Sequence, residues 1–147
     1  MALTDETKQS IITALSNLSE SVTESVLKRL DAFGYEATES DAWMIGFAIQ
    51  KVESYIKNEC YISEIPDDLF AIEVDMVCGE FLSSKYQSGQ LVIDGLDLDG
   101  AVSSIKTGDT SVNFDTNTSS EGKFNSLIYN LMNNGKGELA CFRRMQW

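Results

Sequence analysis

Apolar side chains recur at helical spacing along much of this 147-residue chain. In the first segment, residues 1–34, a Thr4 cap and two following acids precede one such series, and Gly34 ends it. The series consists of Ile11, Leu15, Leu18, Val22, Val26, Leu30 and Phe33. Weak helix formers near Ser19–Ser21 leave two alternatives open for this segment, one long helix or a pair of helices.

Two longer helices are predicted in the central segment, residues 38–87. A start signal at Thr38–Asp41 precedes a single apolar stripe, formed by Ala42, Ile45, Ile49, Val52 and Ile56. Trp43 and Phe47 fall off that stripe, four residues apart. They either pack inside the same core, which is the favoured alternative, or form part of an interface with a neighbouring subunit.

The second central helix is predicted to lie in the middle of the bundle. Pro66 stands where a helix begins, with two aspartates after it, and the following residues present apolar side chains on two faces. Gly79 would permit close approach of a partner helix. Only a narrow acidic stripe remains on this helix, formed by Asp68, Glu73, Asp75 and Glu80.

The helical period fails between residues 88 and 121, a length that is uncommon for a loop without a role. Within it, IKTGDTSVNF (residues 105–114) has the pattern of a β-hairpin that turns at Gly108-Asp109. Pairing across this turn places Ile105, Val112 and Phe114 on one face. Because a lone two-stranded ribbon is marginal in water, that face requires a partner surface.

The last part of the chain consists of a short helix and a tail. Apolar spacing predicts the helix over residues 121–133, and the segment 134–147 is predicted to be an extended C-terminal tail ending in the basic aromatic sequence FRRMQW. The whole pattern predicts a single domain of the mainly α class. We expect a small bundle of four to five helices, with one long loop carrying the β-hairpin.

Charge excludes some classes of function. Eleven Lys and Arg against 23 Asp and Glu give a net charge of −12, and histidine is absent. Proteins that grip duplex DNA or RNA neutralise phosphates with basic side chains, so this balance disfavours specific nucleic-acid binding, and it equally disfavours an anionic membrane surface. No signal peptide or membrane-length apolar run is found, and the three cysteines form no CxxC pair, which predicts folding in a reducing cytoplasm.

Candidate chemistry is sparse. Cys60 and Cys78 fall in apolar helical patterns and are expected to be buried, and without histidine or paired thiols a zinc site is not expected. DGLDLDG (residues 94–100) resembles a calcium loop, but Lys106 would stand where a bidentate glutamate belongs. No activated nucleophile or phosphate loop is present. We therefore predict no catalytic residues, no metal, no cofactor and no enzyme activity.

Several segments together resemble a known family. They are DAWMIGFAIQKVESYIKNEC, EIP, VCGEFL, SIKTGDTSVNF and the closing RRMQW, which follow in order between about Leu27 and Trp147. The set resembles the head-to-tail connector proteins of long-tailed bacteriophages, also called adaptor, head-completion or DNA-packaging proteins. Residues 1–21 carry no part of the resemblance.

The resemblance implies a structural protein of the virion neck, assembled in the host cytoplasm. About twelve identical subunits would form a ring beneath the portal protein, meet the next neck, stopper or tail protein, and surround the channel through which the genome is ejected. DNA would pass without specific binding. In this reading the hairpin contacts a subunit or neck partner, and the tail binds the portal through Phe142, Arg143, Arg144 and Trp147.

The acidic stripe has two interpretations within this reading. Its carboxylates could line the channel, or they could form a solvated outer face, which is the favoured interpretation. Two other functions stay open for the chain as a whole. One is a soluble acidic regulator or DNA mimic that occupies a nucleic-acid-binding partner, and the other is a carboxylate-metal enzyme. Neither alternative gives a role to the hairpin or to the basic aromatic tail.

Overall fold

The computed structural model describes residues 5–14, 20–91, 96, 120–133 and 135–141. The predicted mainly helical class is confirmed, and no strand is found in these ranges. The helices are α1 (Asp5–Ala14), α2 (Glu20–Ala32), α3 (Ala42–Cys60), α4 (Phe70–Gln87), α5 (Ser120–Asn133) and α6 (Lys136–Cys141). Short 3-10 turns at Glu39–Asp41 and Asp67–Leu69 precede α3 and α4. The predicted hairpin at 105–114 lies outside the described residues.

The N-terminal segment forms a pair of helices. α1 contacts both α2 and the 3-10 turn before α3, so it folds back instead of extending α2. Ile11 of α1 is fully buried, which explains why this helix is held against the others. Gly34 stops α2 as its position indicated, because its φ of 88° lies in the left-handed region that other residues avoid.

Helix α4 is the central helix, as its two apolar faces predicted. It contacts α2, α3 and α5, and its residues Val77, Phe81 and Leu82 are fully buried. The expected close approach at Gly79 is found against α5. A Cβ atom at Gly79 would lie 2.9 Å from Met132 Sδ and 3.1 Å from the Leu131 Cβ, so any larger residue would push α5 away.

One hydrophobic core joins these helices. Its largest fully buried side chains are aromatic and branched aliphatic groups, which fill the space between helices without polar atoms that would need partners. They are Ile11, Leu27, Leu30, Phe33, Ile45, Ile49, Ile56, Leu69, Phe81, Leu82, Phe124 and Leu127. The apolar stripe predicted on α3 is therefore the face that packs inward.

The C-terminal segment differs from the prediction. We expected an extended tail over 134–147, but residues 136–141 form α6, which packs against α3. Leu139 is buried, and its carbonyl oxygen accepts a hydrogen bond from Cys60 Sγ at 3.3 Å. Gly135, just before α6, lies against Ile72 of α4, where a Cβ atom would overlap the isoleucine side chain. Residues 142–147, with the tail side chains assigned to portal binding, lie outside the described part of the chain.

Candidate interaction surface

Helix α3 leaves two aromatic side chains outside the core. Trp43 is 74% exposed and Phe47 is 54% exposed, so the favoured alternative that both pack inside the core is wrong. Their rings stack on each other, with centroids 5.5 Å apart and planes inclined by 15°. We call these two residues the aromatic pair. Isolated exposed apolar residues are ordinary, but two stacked aromatic rings form a continuous apolar surface that water solvates poorly.

Hydrogen bonds and an ion pair hold the start of α3, next to the aromatic pair. Asp41, two residues before Trp43, is buried, and its carboxylate Oδ2 accepts hydrogen bonds from the Thr38 backbone N–H at 3.0 Å and the Tyr35 hydroxyl at 2.8 Å. Its Oδ1 accepts a hydrogen bond of 2.8 Å from the Lys85 ammonium of α4. The start signal predicted at Thr38–Asp41 is thus a capping box that is also tied to the central helix.

Titration of Asp41 reflects these contacts. Burial alone would raise the pKa of its carboxyl, but the hydrogen bonds from Lys85, Thr38 and Tyr35 outweigh burial and lower that pKa. Burial of Tyr35, together with the hydrogen bond between its hydroxyl and Asp41, raises the pKa of that hydroxyl. Asp41 is consequently an anion and Tyr35 a neutral donor at neutral pH. The polar groups of Asp41 and Tyr35, at the start of α3 next to the aromatic pair, therefore have hydrogen-bond partners.

Two further aromatic side chains are exposed, and the apolar pattern gave no reason to select them. Tyr129 on α5 is 67% exposed, and Tyr61, which ends α3, is 49% exposed. Tyr61 adopts a φ of 55°, in the left-handed region where glycine would be expected, so the sequence gave no warning of its conformation. Neither tyrosine stacks on the aromatic pair in the structure.

Of the predicted acidic stripe, Asp68 is exposed and lies in the 3-10 turn before α4, whereas the other three carboxylates are buried or partly buried and do not form a solvated face. Glu73 is buried, with only 3% of its surface exposed. Asp75 accepts a hydrogen bond from Arg29 Nε of α2 at 3.0 Å, and Glu80 forms an ion pair with Lys51 of α3 at 2.7 Å. These carboxylates are used in contacts between helices, because α4 is surrounded on several sides. They provide no support for a channel lining.

Glu73 has an unusual environment. Its Oε1 atom is buried and has no hydrogen-bond partner, while the other contact of the carboxyl group is with the Glu53 side chain of α3. Burial, followed by the hydrogen bond and repulsion from Glu53, raises the pKa of Glu73 from 4.5 to about 8, against the opposing attraction of Lys57. At neutral pH the Glu73 carboxyl therefore keeps its proton.

The raised pKa of Glu73 predicts a pH-dependent effect of Glu73→Gln. Between about pH 4.5 and 8 the folded state retains a proton that the unfolded state releases, so the free energy of unfolding of the natural protein falls as pH rises. Glutamine cannot ionise and still donates to Glu53. At about 1.4 kcal/mol per pKa unit, we expect the variant to be more stable than the natural protein by about 5 kcal/mol at about pH 9, with the difference vanishing below about pH 4.5.

Urea unfolding of both proteins across this pH range measures the difference. Glu36→Gln removes an exposed carboxylate of the same charge and serves as the control, for which no pH-dependent gain is expected. Parallel stability curves for Glu73→Gln and the natural protein would show that Glu73 ionises normally in the folded state.

Some of the other predicted sites lie within the described residues, and some lie outside them. Cys60 and Cys78 are buried, as predicted. No cluster of three or more potential ligands among Cys, Asp and Glu is placed to hold a metal ion in the described residues. Apart from Leu96, the sequence DGLDLDG lies outside them. Within the described ranges, no helix combines the length and apolar character needed to cross a bilayer.

Comparison of the chain with protein-family models, with curated proteins and with solved structures finds no match. The function is therefore inferred from the exposed surface and the charge of this chain. The feature of the described surface that most requires an explanation is the aromatic pair.

Proposed function

We propose that this protein is a structural connector of the phage neck, forming a ring beneath the portal that joins head to tail and surrounds the DNA channel. One observation carries the proposal: Trp43 and Phe47 stack on each other on α3 and are left open to solvent. Tryptophan and other large aromatic side chains dominate the energetics of protein interfaces. A ring subunit needs such a surface because each copy must contact the next copy or the portal.

The charge of the chain is compatible with that role. With a net charge of −12, each subunit repels phosphate, and a ring of about twelve copies would carry about twelve times this charge. DNA moving through such a ring would meet few basic side chains, whose contacts would retard it in a salt-dependent manner. Assembly would then depend on apolar contacts, which the aromatic pair supplies, more than on attraction between oppositely charged subunits.

Native mass spectrometry of the protein mixed with portal rings tests the proposal. We expect a complex in which one portal ring binds a ring of copies of this chain, even where the free protein is monomeric, because such a ring can close on a template. A chain that never binds the portal would contradict the connector function. Competition with DNA for a nucleic-acid-binding protein would instead support the acidic regulator.

Native mass spectrometry with portal rings also tests the role of the basic tail. Replacement of Arg143 and Arg144 by Glu should abolish portal docking while leaving the helical circular dichroism of the monomer intact, because cationic side chains next to Phe142 and Trp147 would be lost from the contact. Replacement of Lys28 and Lys51 by Glu makes the same change in net charge at exposed positions of the helical body. Docking that survives the tail substitutions, or fails equally in the control, would remove the tail from the portal site.

A further inference from the structure

A pocket of about 360 Å³ opens between α2, α3, α4 and the connection that joins α3 to α4. Its volume falls within the range of about 300–1,000 Å³ typical of small-ligand sites. The two carboxyl groups described above, Glu53 and Glu73, lie in it. We call it the acidic pocket, and its lining residues include Ser21, Glu53, Lys57, Ser63, Glu64, Ile65, Pro66, Asp67, Phe70 and Glu73.

The buried carboxyl of the acidic pocket lacks a donor. Glu73 Oε1 is the sole buried side-chain oxygen or nitrogen without a hydrogen-bond partner among the described residues, although buried acceptors are normally satisfied. Leaving such an atom unpaired costs free energy that a bound donor would recover. Because Glu73 lines a pocket, a donor can come from outside the chain.

Charge selects a cationic donor. Glu53 on α3 and Glu73 on α4 face each other, and Glu64 and Asp67 of the connection are further acids in the lining, whereas Lys57 is its only cation. A cation that hydrogen-bonds to both carboxyl groups favours their ionised form, so the proton held by Glu73 would leave to solvent when the cation binds. An anion or an apolar group would leave Oε1 unpaired and would meet repulsion from these acids or desolvate them.

The other walls favour arginine among cations. A guanidinium group is planar and presents five N–H donors, so it can bridge two carboxylates, whereas an ammonium is a compact point charge. Phe70 provides an aromatic ring beside the acids, on which a guanidinium can stack. Ile65 and Pro66 provide apolar surface for the methylene stem of the side chain.

We propose that the acidic pocket binds the guanidinium group of an arginine side chain presented by another protein molecule. The proposal goes beyond the connector function and does not depend on it. Two sources of this arginine are distinguishable, a second copy of this chain through Arg143 or Arg144, and a different partner protein. On binding, the proton of Glu73 leaves to solvent, and both carboxylates accept N–H donors.

Carboxyl carbon resonances of ¹³C-labelled glutamate provide the test. N-acetyl-arginine methylamide is titrated into the natural protein, with N-acetyl-citrulline methylamide as the neutral probe of matching shape. We expect saturable shifts at Glu53 and Glu73 with the arginine probe, little shift with citrulline, and a Glu73 titration midpoint that moves to lower pH when the pocket is occupied. The pH shift separates direct binding at the carboxyls from a purely structural role.

Matched variants sharpen the outcome. Glu73→Gln should weaken binding of the arginine probe at least tenfold, Glu53→Gln should weaken it similarly, and Glu36→Gln, which removes an exposed acid outside the pocket, should leave it unchanged. Absence of a saturable shift, equal binding of citrulline, or unchanged binding to Glu73→Gln would overturn the proposal. If Glu73→Gln folds poorly, unchanged binding to Glu53→Gln would overturn the proposal in its place.

A peptide arm identifies the source of the arginine. Tighter binding of FRRMQW than of the arginine probe by at least tenfold, lost in FQQMQW, would assign the site to the tail of a second copy. Binding of FRRMQW no tighter than the probe, at the same two carboxyls, would support an arginine of a different protein. Neither result depends on the portal, so portal docking can fail while this assignment holds.

Discussion

Replacing Lys85 with Met is expected to lower the free energy of unfolding by about 3–5 kcal/mol. The side chains of Lys85 and Asp41 are only 11% and 3% exposed, and the ammonium lies 2.8 Å from the carboxylate. Methionine fills most of the volume but leaves the Asp41 charge buried without its cation. Hydrogen bonds from Tyr35 and Thr38 remain, so we expect a destabilised protein that still folds. Urea unfolding near neutral pH measures the loss.

Lys51→Met is the matched control for this effect. Lys51 also pairs with a carboxylate of α4, Glu80 at 2.7 Å, but its side chain is 59% exposed, so its replacement should cost less than about 1 kcal/mol. Adding Asp41→Asn to Lys85→Met removes the uncompensated charge and should recover part of the stability. A loss below about 1 kcal/mol for Lys85→Met alone would show that the buried pair does not anchor the start of α3.

The second large effect is expected on assembly. Replacement of both Trp43 and Phe47 by Gln should weaken binding to a neighbouring copy or to the portal at least about 100-fold, because buried aromatic anchors contribute about 2 kcal/mol or more each at interfaces. The monomer should keep its helical content and its stability to within about 1 kcal/mol, since both side chains are exposed and glutamine favours helices. Native mass spectrometry and urea unfolding separate the two consequences.

Tyr129→Gln provides the control for removal of an exposed aromatic ring. Tyr129 is as exposed as the members of the aromatic pair but lies on α5, and its replacement should not affect association. Association of the Trp43 and Phe47 double variant that matches the natural protein would contradict the proposed interface. An equal loss for Tyr129→Gln would point to general surface hydrophobicity instead of a defined contact.

Local signals in the sequence predicted much of the fold. Periodicity identified the buried stripe of α3, two apolar faces identified α4 as central, and Gly79 and Gly34 marked a close approach and a helix end. These features depend on residues within a few positions of one another. Helix α6 escaped detection because its six residues are too few for a periodic pattern, and among its described side chains Leu139 is the buried one.

Contacts between distant residues could not be read from the sequence. Asp41 and Lys85 are 44 positions apart, and only the packing of α3 on α4 brings them together. Likewise, nothing local distinguishes the buried Glu73 from the other acids of α4, whose exposure depends on which helices surround them. Periodicity placed Trp43 and Phe47 off the main stripe but could not decide whether a second helix covered them. In the structure none of the described helices does.

Hydroxyl-radical footprinting read by peptide mass spectrometry shows whether assembly covers the aromatic pair. The natural protein is labelled alone and in its complex with the portal, with Tyr129 as an internal reference for accessibility. We predict strong labelling of Trp43 and Phe47 in the free protein and at least about tenfold protection in the complex, without comparable protection of Tyr129. Equal labelling of Trp43 and Phe47 in the free and the assembled protein would contradict a role for the aromatic pair in assembly.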